Sequence, residues 1–166
     1  MIDVTATRTI PAEPQAIWPL LDEPGRLGEW FAFADDGEVL DGTGVGRRQR
    51  MHGHWGRKRS EIDQVVVEHE PPRRLAWRHE AERLDGKPAP RFAASTTFTM
   101  TLEPAGAGTS RLRLRSEQEP ASALRGLVIR LFGRREVAQT LDESLDRLEA
   151  RFAGSAASAK ANADAA

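Results

Sequence analysis

The sequence contains no cysteine, no tyrosine and no apolar run long enough to cross a bilayer. The absence of cysteine excludes disulfides, thiolate nucleophiles and cysteine-ligated zinc sites. A charge excess is also missing, since 24 basic side chains are matched by 25 acidic ones. This balance gives no general attraction to nucleic acid or to an anionic membrane. Residues 1–11 lack the basic start and apolar block of a signal peptide, so we expect a cytoplasmic protein without stable membrane insertion.

The common catalytic motifs are missing as well. The chain has no G-x-S-x-G elbow, no phosphate-binding loop and no HExxH sequence. The glycines of residues 42–46 resemble a dinucleotide-binding loop, but that motif needs a helix after it. Residues 47–51 have the pattern of a strand instead. We therefore predict a hairpin turn at this position and no cofactor.

The residues that are present suffice for one globular domain. Of the 166 residues, 39% are hydrophobic and 30% are charged, which is typical of a soluble domain with a real core. We predict a single domain over residues 1–153. The remaining segment, 154–166, is rich in alanine and serine and has no large apolar side chain, so we expect it to be disordered.

Hydrophobic periodicity predicts the order of the secondary-structure elements. Alternation over residues 2–10 predicts a first strand, and a short helix follows with Pro14 in its first turn. A second short helix follows Pro24 and Gly25. Six further runs are joined by short turns and predict an antiparallel meander, with strands near residues 37–41, 45–55, 58–69, 72–82, 91–103 and 109–118.

The last predicted element is a long helix. An apolar stripe with a period near 3.6 runs from Leu124 to Phe152. Gly126 and Gly133 weaken its first half, so we expect a bend or a break near Gly133. The predicted fold is α+β, with a seven-stranded curved antiparallel sheet wrapped around this helix. Because such a sheet fills poorly near its open end, we also expect an apolar cavity.

Several segments, taken in order, resemble one protein superfamily. They are Ile10–Asp22, Pro24–Trp30, Gly44–Arg47, Glu70–Trp77, Gly108–Thr109 and Ser144–Leu148. They resemble the SRPBCC or START-like superfamily, which has the helix-grip fold and includes polyketide cyclases/dehydrases and lipid-transfer proteins. The resemblance covers residues 2–153. It implies a lipid-like, aromatic or polyketide-like ligand, and the function itself has to be argued from the cavity.

The alternation of the strands and the stripe of the helix select the side chains that we expect to line the cavity. These predicted ligand-binding residues are Met51, Trp77, His79, Phe98, Met100, Leu114, Leu127 and Leu131. Among them His79 is the best candidate for a catalytic acid or base, since imidazole exchanges protons near neutral pH. The alternative is that His79 is a solvated side chain near the strand end, because the sequence shows no partner for it.

Other polar groups are weaker candidates. His52 and His54 share a strand face, but no third ligand is linked to them by spacing, so we predict no metal site. Glu61 and Asp63 lie on the strand face opposite Gln64, and we expect both carboxylates to point to water.

Two basic clusters, in residues 47–59 and 125–135, suit an acidic headgroup, a phosphopantetheine or an acyl carrier protein. Such clusters are more often a solvated face that nearby acids balance. We therefore predict a small hydrophobic molecule as the partner, and no nucleic acid.

Three functions remain open. The leading hypothesis is a carrier, sensor or sequestering protein for a small hydrophobic molecule, acting as a monomer or homodimer. The second is a cofactor-free cyclase, aromatase or dehydratase that transfers protons in the same cavity, with His79 as the acid or base. The missing tyrosine disfavours it, since it removes one common way to polarise a carbonyl in enzymes of this superfamily. The third is a co-chaperone-like domain that binds a protein partner with its outer sheet face.

Overall fold

Eight strands form one antiparallel sheet in the computed structural model, which describes residues 1–91, 93–128 and 133–165. The strands are β1 (Ile2–Ile10), β2 (Asp36–Asp41), β3 (Arg48–Trp55), β4 (Lys58–Glu70), β5 (Arg74–Leu84), β6 (Lys87–Pro88), β7 (Ala93–Pro104) and β8 (Ser110–Pro120). Helix α1 (Pro14–Asp22) and a 3₁₀ helix (Pro24–Glu29) lie between β1 and β2. Helices α2 (Ala123–Val128) and α3 (Arg134–Asp164) follow β8.

The strand order in the sheet is β1-β8-β7-β5-β4-β3-β2, and β6 pairs with β5. The predicted α+β fold with a large antiparallel sheet and a long C-terminal helix is confirmed. The predicted count of seven strands is one too low, because β6 has only two residues and shows no alternation in the sequence. Strand β3 begins at Arg48 instead of residue 45, because Gly44 and Gly46 adopt positive φ values of 61° and 89° that suit a turn.

The 3₁₀ helix packs beside β2, and α1 packs against the 3₁₀ helix and β7. Pro14 occupies the first turn of α1, as predicted, where its missing N–H has no bond to lose. The indole N–H of Trp30 donates to the carbonyl oxygen of Leu20 at 2.7 Å and holds the end of the 3₁₀ helix against α1. The 3₁₀ helix approaches β2 so closely that a Cβ on Gly37 would lie 2.5 Å from the carbonyl oxygen of Pro24. Only glycine fits at this contact.

Helix α3 packs tightly against one half of the concave face, the face of the sheet that carries the buried side chains. Its residues Leu141, Leu145 and Leu148 have no exposed surface. They join a core whose fully buried strand side chains are Ile10, Leu75, Leu112 and Leu114. Arg8 on β1 donates to Asp146 at 2.5 Å and to Glu149 at 2.8 Å, so ion pairs also connect the helix to the first strand. This half of the concave face is therefore packed solid.

In the C-terminal region the structure describes two helical stretches, α2 and α3, and residues 129–132 between them lie outside the described part of the chain. The bend or break expected near Gly133 therefore stays a prediction. Helix α3 begins at Arg134 and continues through the segment predicted to be disordered. Alanine is the best helix former, and the described side chains of 154–165 are exposed. A domain boundary at Ala153 stays a prediction. None of the described helices combines the length and the apolar character needed to span a bilayer.

Candidate functional site

A cavity of about 860 Å³ occupies the other half of the concave face. Its walls come from β3, β4, β5, β7 and β8, from residues 31–35 and 88–91, and from the first turns of α3. Val137 and Thr140 of α3 point into it, and both are smaller than the leucines of the next turns. The helix therefore covers this half of the sheet without filling the space beneath it.

Four aromatic side chains form one wall of the cavity, here called the aromatic wall: Phe31, Phe33, Trp77 and Phe98. The ring centroids of Trp77 and Phe98 are 5.2 Å apart, with an interplanar angle of 24°. The ring of Phe31 meets both edge-on, at 5.9 Å from Trp77 and 5.0 Å from Phe98. Stacked and edge-to-face arrangements are the favourable ones for aromatic pairs, so the wall is a mutually supported apolar surface.

Four of the eight predicted ligand-binding residues line the cavity: Met51, Trp77, His79 and Phe98. Their part in binding stays a prediction. Met100 and Leu114 face inward, as strand alternation indicates, but they are 1% and 0% exposed in the packed core and are not part of the lining. Alternation identifies the buried face of a strand; it does not show how far along that face the packing extends.

The placement of Leu127 in the lining is wrong, because this side chain is 52% exposed on α2. Leu127 lies on the helical stretch α2, which packs beside β8 and presents this side chain to solvent. Leu131 lies outside the described residues. The apolar helix side chain at the cavity is instead Val137.

Phe31 and Phe33 are the lining residues that sequence reasoning missed. They follow the 3₁₀ helix in a segment without regular structure, so neither helical nor strand periodicity could assign them to a face. The available signal was compositional. Residues 30–34 are five consecutive apolar side chains in a segment between two helices and a sheet, where an irregular loop would normally be polar.

His79 and Glu82 form a hydrogen-bonded pair in the cavity wall, with the Nδ1 and Oε1 atoms 2.9 Å apart. Three residues apart on a regular strand, they would face opposite sides of the sheet. However, the register of β5 shifts between the pairs Gln64–His79 and Asp63–Ala81. This β-bulge turns both side chains to the concave face. His79 thus has the carboxylate partner that the sequence did not reveal.

The charge state of this pair suits proton transfer. The hydrogen bond from His79 holds the pKa of Glu82 below its usual value, although desolvation acts in the opposite direction. The carboxylate therefore stays ionised beside the imidazole. The His79 side chain is 17% exposed, and that of Glu82 is 44% exposed. A carboxylate that accepts from one ring nitrogen orients the imidazole and leaves its other nitrogen to exchange a proton with a ligand.

His52 and His54 do not converge on one site. His52 Nε2 lies 2.9 Å from Glu38, and His54 Nδ1 lies 2.5 Å from Asp35. Among the residues that the structure describes, no three histidine or carboxylate side chains are grouped as metal ligands.

Asp63 lies on the outer face of the sheet, behind the cavity, but it does not point to water as predicted. Its side chain is only 11% exposed, and it accepts from Arg50 Nε at 2.7 Å and from an Arg83 nitrogen at 2.9 Å. Hydrogen bonding from Arg50, with that from Arg83, lowers the pKa of Asp63 to about 2. Arg83 also donates to Glu61 at 3.1 Å. These four residues, here called the outer ion cluster, are structural, because two guanidinium groups cover the carboxylate.

Two solved structures that this chain matches over nearly their whole length have the same fold. One is a START superfamily protein from Mycobacterium smegmatis, 13% identical, with a TM-score of 0.71 over 92% of this chain and 97% of that chain. The other is TTHA0849 from Thermus thermophilus, 19% identical, with a TM-score of 0.70 over 93% of this chain and 99% of that chain. Identities this low show the fold alone.

A two-domain protein and one family model also match this chain. The di-domain ARO/CYC BexL from the BE-7585A biosynthetic pathway is 16% identical, with a TM-score of 0.72 over 90% of this chain and 45% of that chain. No curated protein sequence is similar enough to match. The family model for polyketide cyclase/dehydrase and lipid transport matches residues 1–153. The chain therefore belongs to this family, and it has the fold of the START superfamily protein from Mycobacterium smegmatis.

Proposed function

We propose that the protein binds a small hydrophobic molecule in the cavity and acts as a carrier, sensor or sequestering protein. The observation that carries this proposal is the volume of about 860 Å³ bounded by the aromatic wall. Cavities of roughly 300 to 1,000 Å³ are the usual size for small-molecule sites. The family and the fold support a lipid-like, aromatic or polyketide-like ligand.

The chemistry of the lining supports binding by apolar burial. A ligand that removes about 200 Å² of apolar surface from water gains about 5 kcal/mol of favourable free energy. The stacked pair Trp77–Phe98 and the edge of Phe31 offer flat apolar surfaces that suit planar rings. The polar groups at the rim, His79 and Glu82 among them, would orient the ligand rather than supply most of its affinity.

The proposal is tested by replacing Trp77 with alanine and measuring the affinity for N-phenyl-1-naphthylamine, a neutral fluorescent probe. Losing the indole surface should weaken probe binding about tenfold. The matched control is Leu75→Ala, which removes a fully buried side chain two residues away on the same strand but outside the lining. It should lower the melting temperature and leave the affinity nearly unchanged. Equal loss of affinity in both variants would show that Trp77 is only a core residue.

Native mass spectrometry of protein purified from its own host would then identify the molecule. A co-purifying mass that Trp77→Ala fails to retain is the expected result. A wild-type protein that retains no small molecule and does not bind the probe would contradict the proposal.

A second candidate function, a cofactor-free cyclase, aromatase or dehydratase, is favoured by the His79–Glu82 pair inside the cavity. In this mechanism the free ring nitrogen of His79 would transfer the proton, and Glu82 would position the ring. His79→Gln should abolish turnover and keep probe binding, whereas Glu82→Gln should slow turnover and shift its pH profile. A rate that is unchanged in His79→Gln would remove the enzyme hypothesis. A filled or absent cavity with a large exposed apolar patch outside would favour the co-chaperone-like alternative, and the open cavity argues against it.

A further inference from the structure

A chain of hydrogen bonds between buried side chains ends at the cavity. Arg47 Nε donates to Gln49 Oε1 at 3.1 Å, and Gln49 Nε2 donates to Gln64 Oε1 at 2.9 Å. Gln64 Nε2 then donates to the sulfur of Met51 at 3.9 Å. Arg47, Gln49 and Gln64, here called the buried polar chain, are 8%, 1% and 0% exposed. Gln49 and Gln64 lie directly opposite each other on β3 and β4, so the sheet register brings the two amides together.

The direction of these bonds follows from the chemistry of Arg47. A guanidinium group has only donors, so Gln49 must turn its carbonyl oxygen toward it. The amide nitrogen of Gln49 then faces the carbonyl oxygen of Gln64, which leaves the Gln64 nitrogen for Met51. All three donors therefore point toward the cavity. Because hydrogen bonds in series polarise one another, the positive charge of Arg47 strengthens the last donor.

The far end of the buried polar chain is anchored. Arg47 donates from one terminal nitrogen to Asp22 at 3.0 Å, and His69 Nε2 lies 3.0 Å from the same carboxylate oxygen. The other terminal nitrogen of Arg47 is buried and has no hydrogen-bond partner among the described residues. The cation is thus held in place while its hydrogen-bonding capacity is only partly used.

At the cavity end, by contrast, the amide nitrogen of Gln64 has only a weak hydrogen-bond acceptor. A thioether is a weak acceptor, and a fully buried amide nitrogen normally has an oxygen partner. Met51 itself lines the cavity, so its flexible side chain is what separates the Gln64 nitrogen from the ligand volume. A ligand oxygen that moved the thioether aside would give the Gln64 N–H a much stronger acceptor.

We propose that Gln64 is the specificity-determining residue of the cavity and that it recognises a carbonyl or another acceptor oxygen on the hydrophobic ligand. This inference rests on the proposed ligand-binding function. The aromatic wall accepts ligands by shape and apolar surface, whereas the Gln64 donor selects those that carry an acceptor at the end that reaches Met51. A ligand without such an oxygen leaves the Met51 thioether in place and gains nothing from the buried polar chain.

The test compares 9-fluorenone with fluorene, which share a ring skeleton and differ in the ketone oxygen. Wild-type protein should bind fluorenone about tenfold more tightly, and the infrared carbonyl band of bound fluorenone should shift to lower wavenumber. Gln64→Met should abolish both the preference and the shift. Gln49→Met keeps the Gln64 donor but removes its polarisation, so the shift should become smaller. The control Thr99→Val, which removes a buried hydroxyl outside the lining, should change neither.

Each outcome decides one question. Equal affinities of wild-type protein for the two compounds, or an unshifted carbonyl band, would overturn the role of Gln64 and leave cavity binding intact. A preference for fluorenone that persists in folded Gln64→Met would also overturn the role of Gln64 and leave cavity binding intact. Failure of both compounds and of N-phenyl-1-naphthylamine to bind would overturn the cavity function itself. The wild-type spectrum decides the matter alone if the Gln64 variant does not fold.

Discussion

The two halves of the concave face share strands β5, β7 and β8 but are filled differently. In the packed half, Leu112 of β8 and Leu145 of α3 belong to one core and have no exposed surface. In the cavity half, Ser116 of the same strand and Thr140 of the same helix line open volume. Strand alternation determines only which side chains face inward. The size of the helix side chains determines whether the space is filled.

The cavity half is stabilised by contacts that do not occupy its interior. On the concave side the rings of the aromatic wall support one another. On the opposite side of the sheet, directly behind β4 and β5, the outer ion cluster links Asp63 to Arg50 and Arg83 across three strands. Because the cavity half keeps its interior open, side-chain packing in that interior cannot hold its strands together. The aromatic wall and the outer ion cluster hold them instead.

Leu145→Ala should have the largest effect on stability, because it empties a site in the packed half. Removing a fully buried leucine costs about 2 to 5 kcal/mol of unfolding free energy. Chemical denaturation measures this loss, and the affinity of the folded variant for N-phenyl-1-naphthylamine should stay within about twofold of wild type. A variant that lost probe binding while keeping its stability would contradict the division into two halves.

Asp63→Asn should have an intermediate effect that depends on pH. The folded-state pKa of Asp63 is about 2, below the usual 3.8, so the carboxylate contributes its full stability above the usual value. That contribution is lost as pH falls toward 2, and it amounts to roughly 1 to 2 kcal/mol. Unfolding measured from pH 6 to pH 2 should therefore show a steeper decline for wild type than for the variant.

The matched control for this pH series is Asp164→Asn, which changes an exposed carboxylate at the end of α3. Its unfolding profile should follow that of wild type. Parallel profiles for wild type and Asp63→Asn would show that the outer ion cluster does not stabilise the cavity half.

Val137→Phe should have the smallest effect on stability and a large one on binding. The added ring enters open volume instead of a packed core, so the unfolding free energy should change by less than about 1 kcal/mol. Probe affinity should fall more than tenfold, because the ring occupies ligand volume. Val137→Ala is the control and should retain binding. An unchanged affinity in the phenylalanine variant would place the ligand elsewhere.

The fold was predictable because its signals are local and repeated. Strand alternation, turn residues and a helical stripe recur along the chain, and the confirmed α+β architecture follows from their order. The same alternation placed Met51, Trp77 and Phe98 on the concave face correctly. The error at Leu127 arose because a helical stripe shows which side chains share a helix face, but not which part of the sheet, if any, that face meets.

The remaining parts of the site depend on irregular backbone. The pairing of His79 with Glu82 requires a β-bulge, and one extra residue reverses the alternation that sequence reasoning relies on. Phe31 and Phe33 lie in a segment without a period, so no pattern could direct them to the cavity. The prediction that Asp63 is exposed was wrong because Arg50 and Arg83, on the two neighbouring strands, cover it. Their position beside Asp63 depends on the pairing register of the strands, which the sequence pattern does not give.

The pairing of β1 with β8 has a consequence for how the chain is made. Strand β1 pairs with β8, whose residues come on the order of a hundred positions later. A nascent chain must therefore hold its first strand unpaired through synthesis of nearly the whole meander. During this interval the exposed edge of β1, which carries Ile2, Val4 and Ile10, can pair with other chains. Chaperones at the ribosome therefore encounter this protein chiefly as an incomplete sheet.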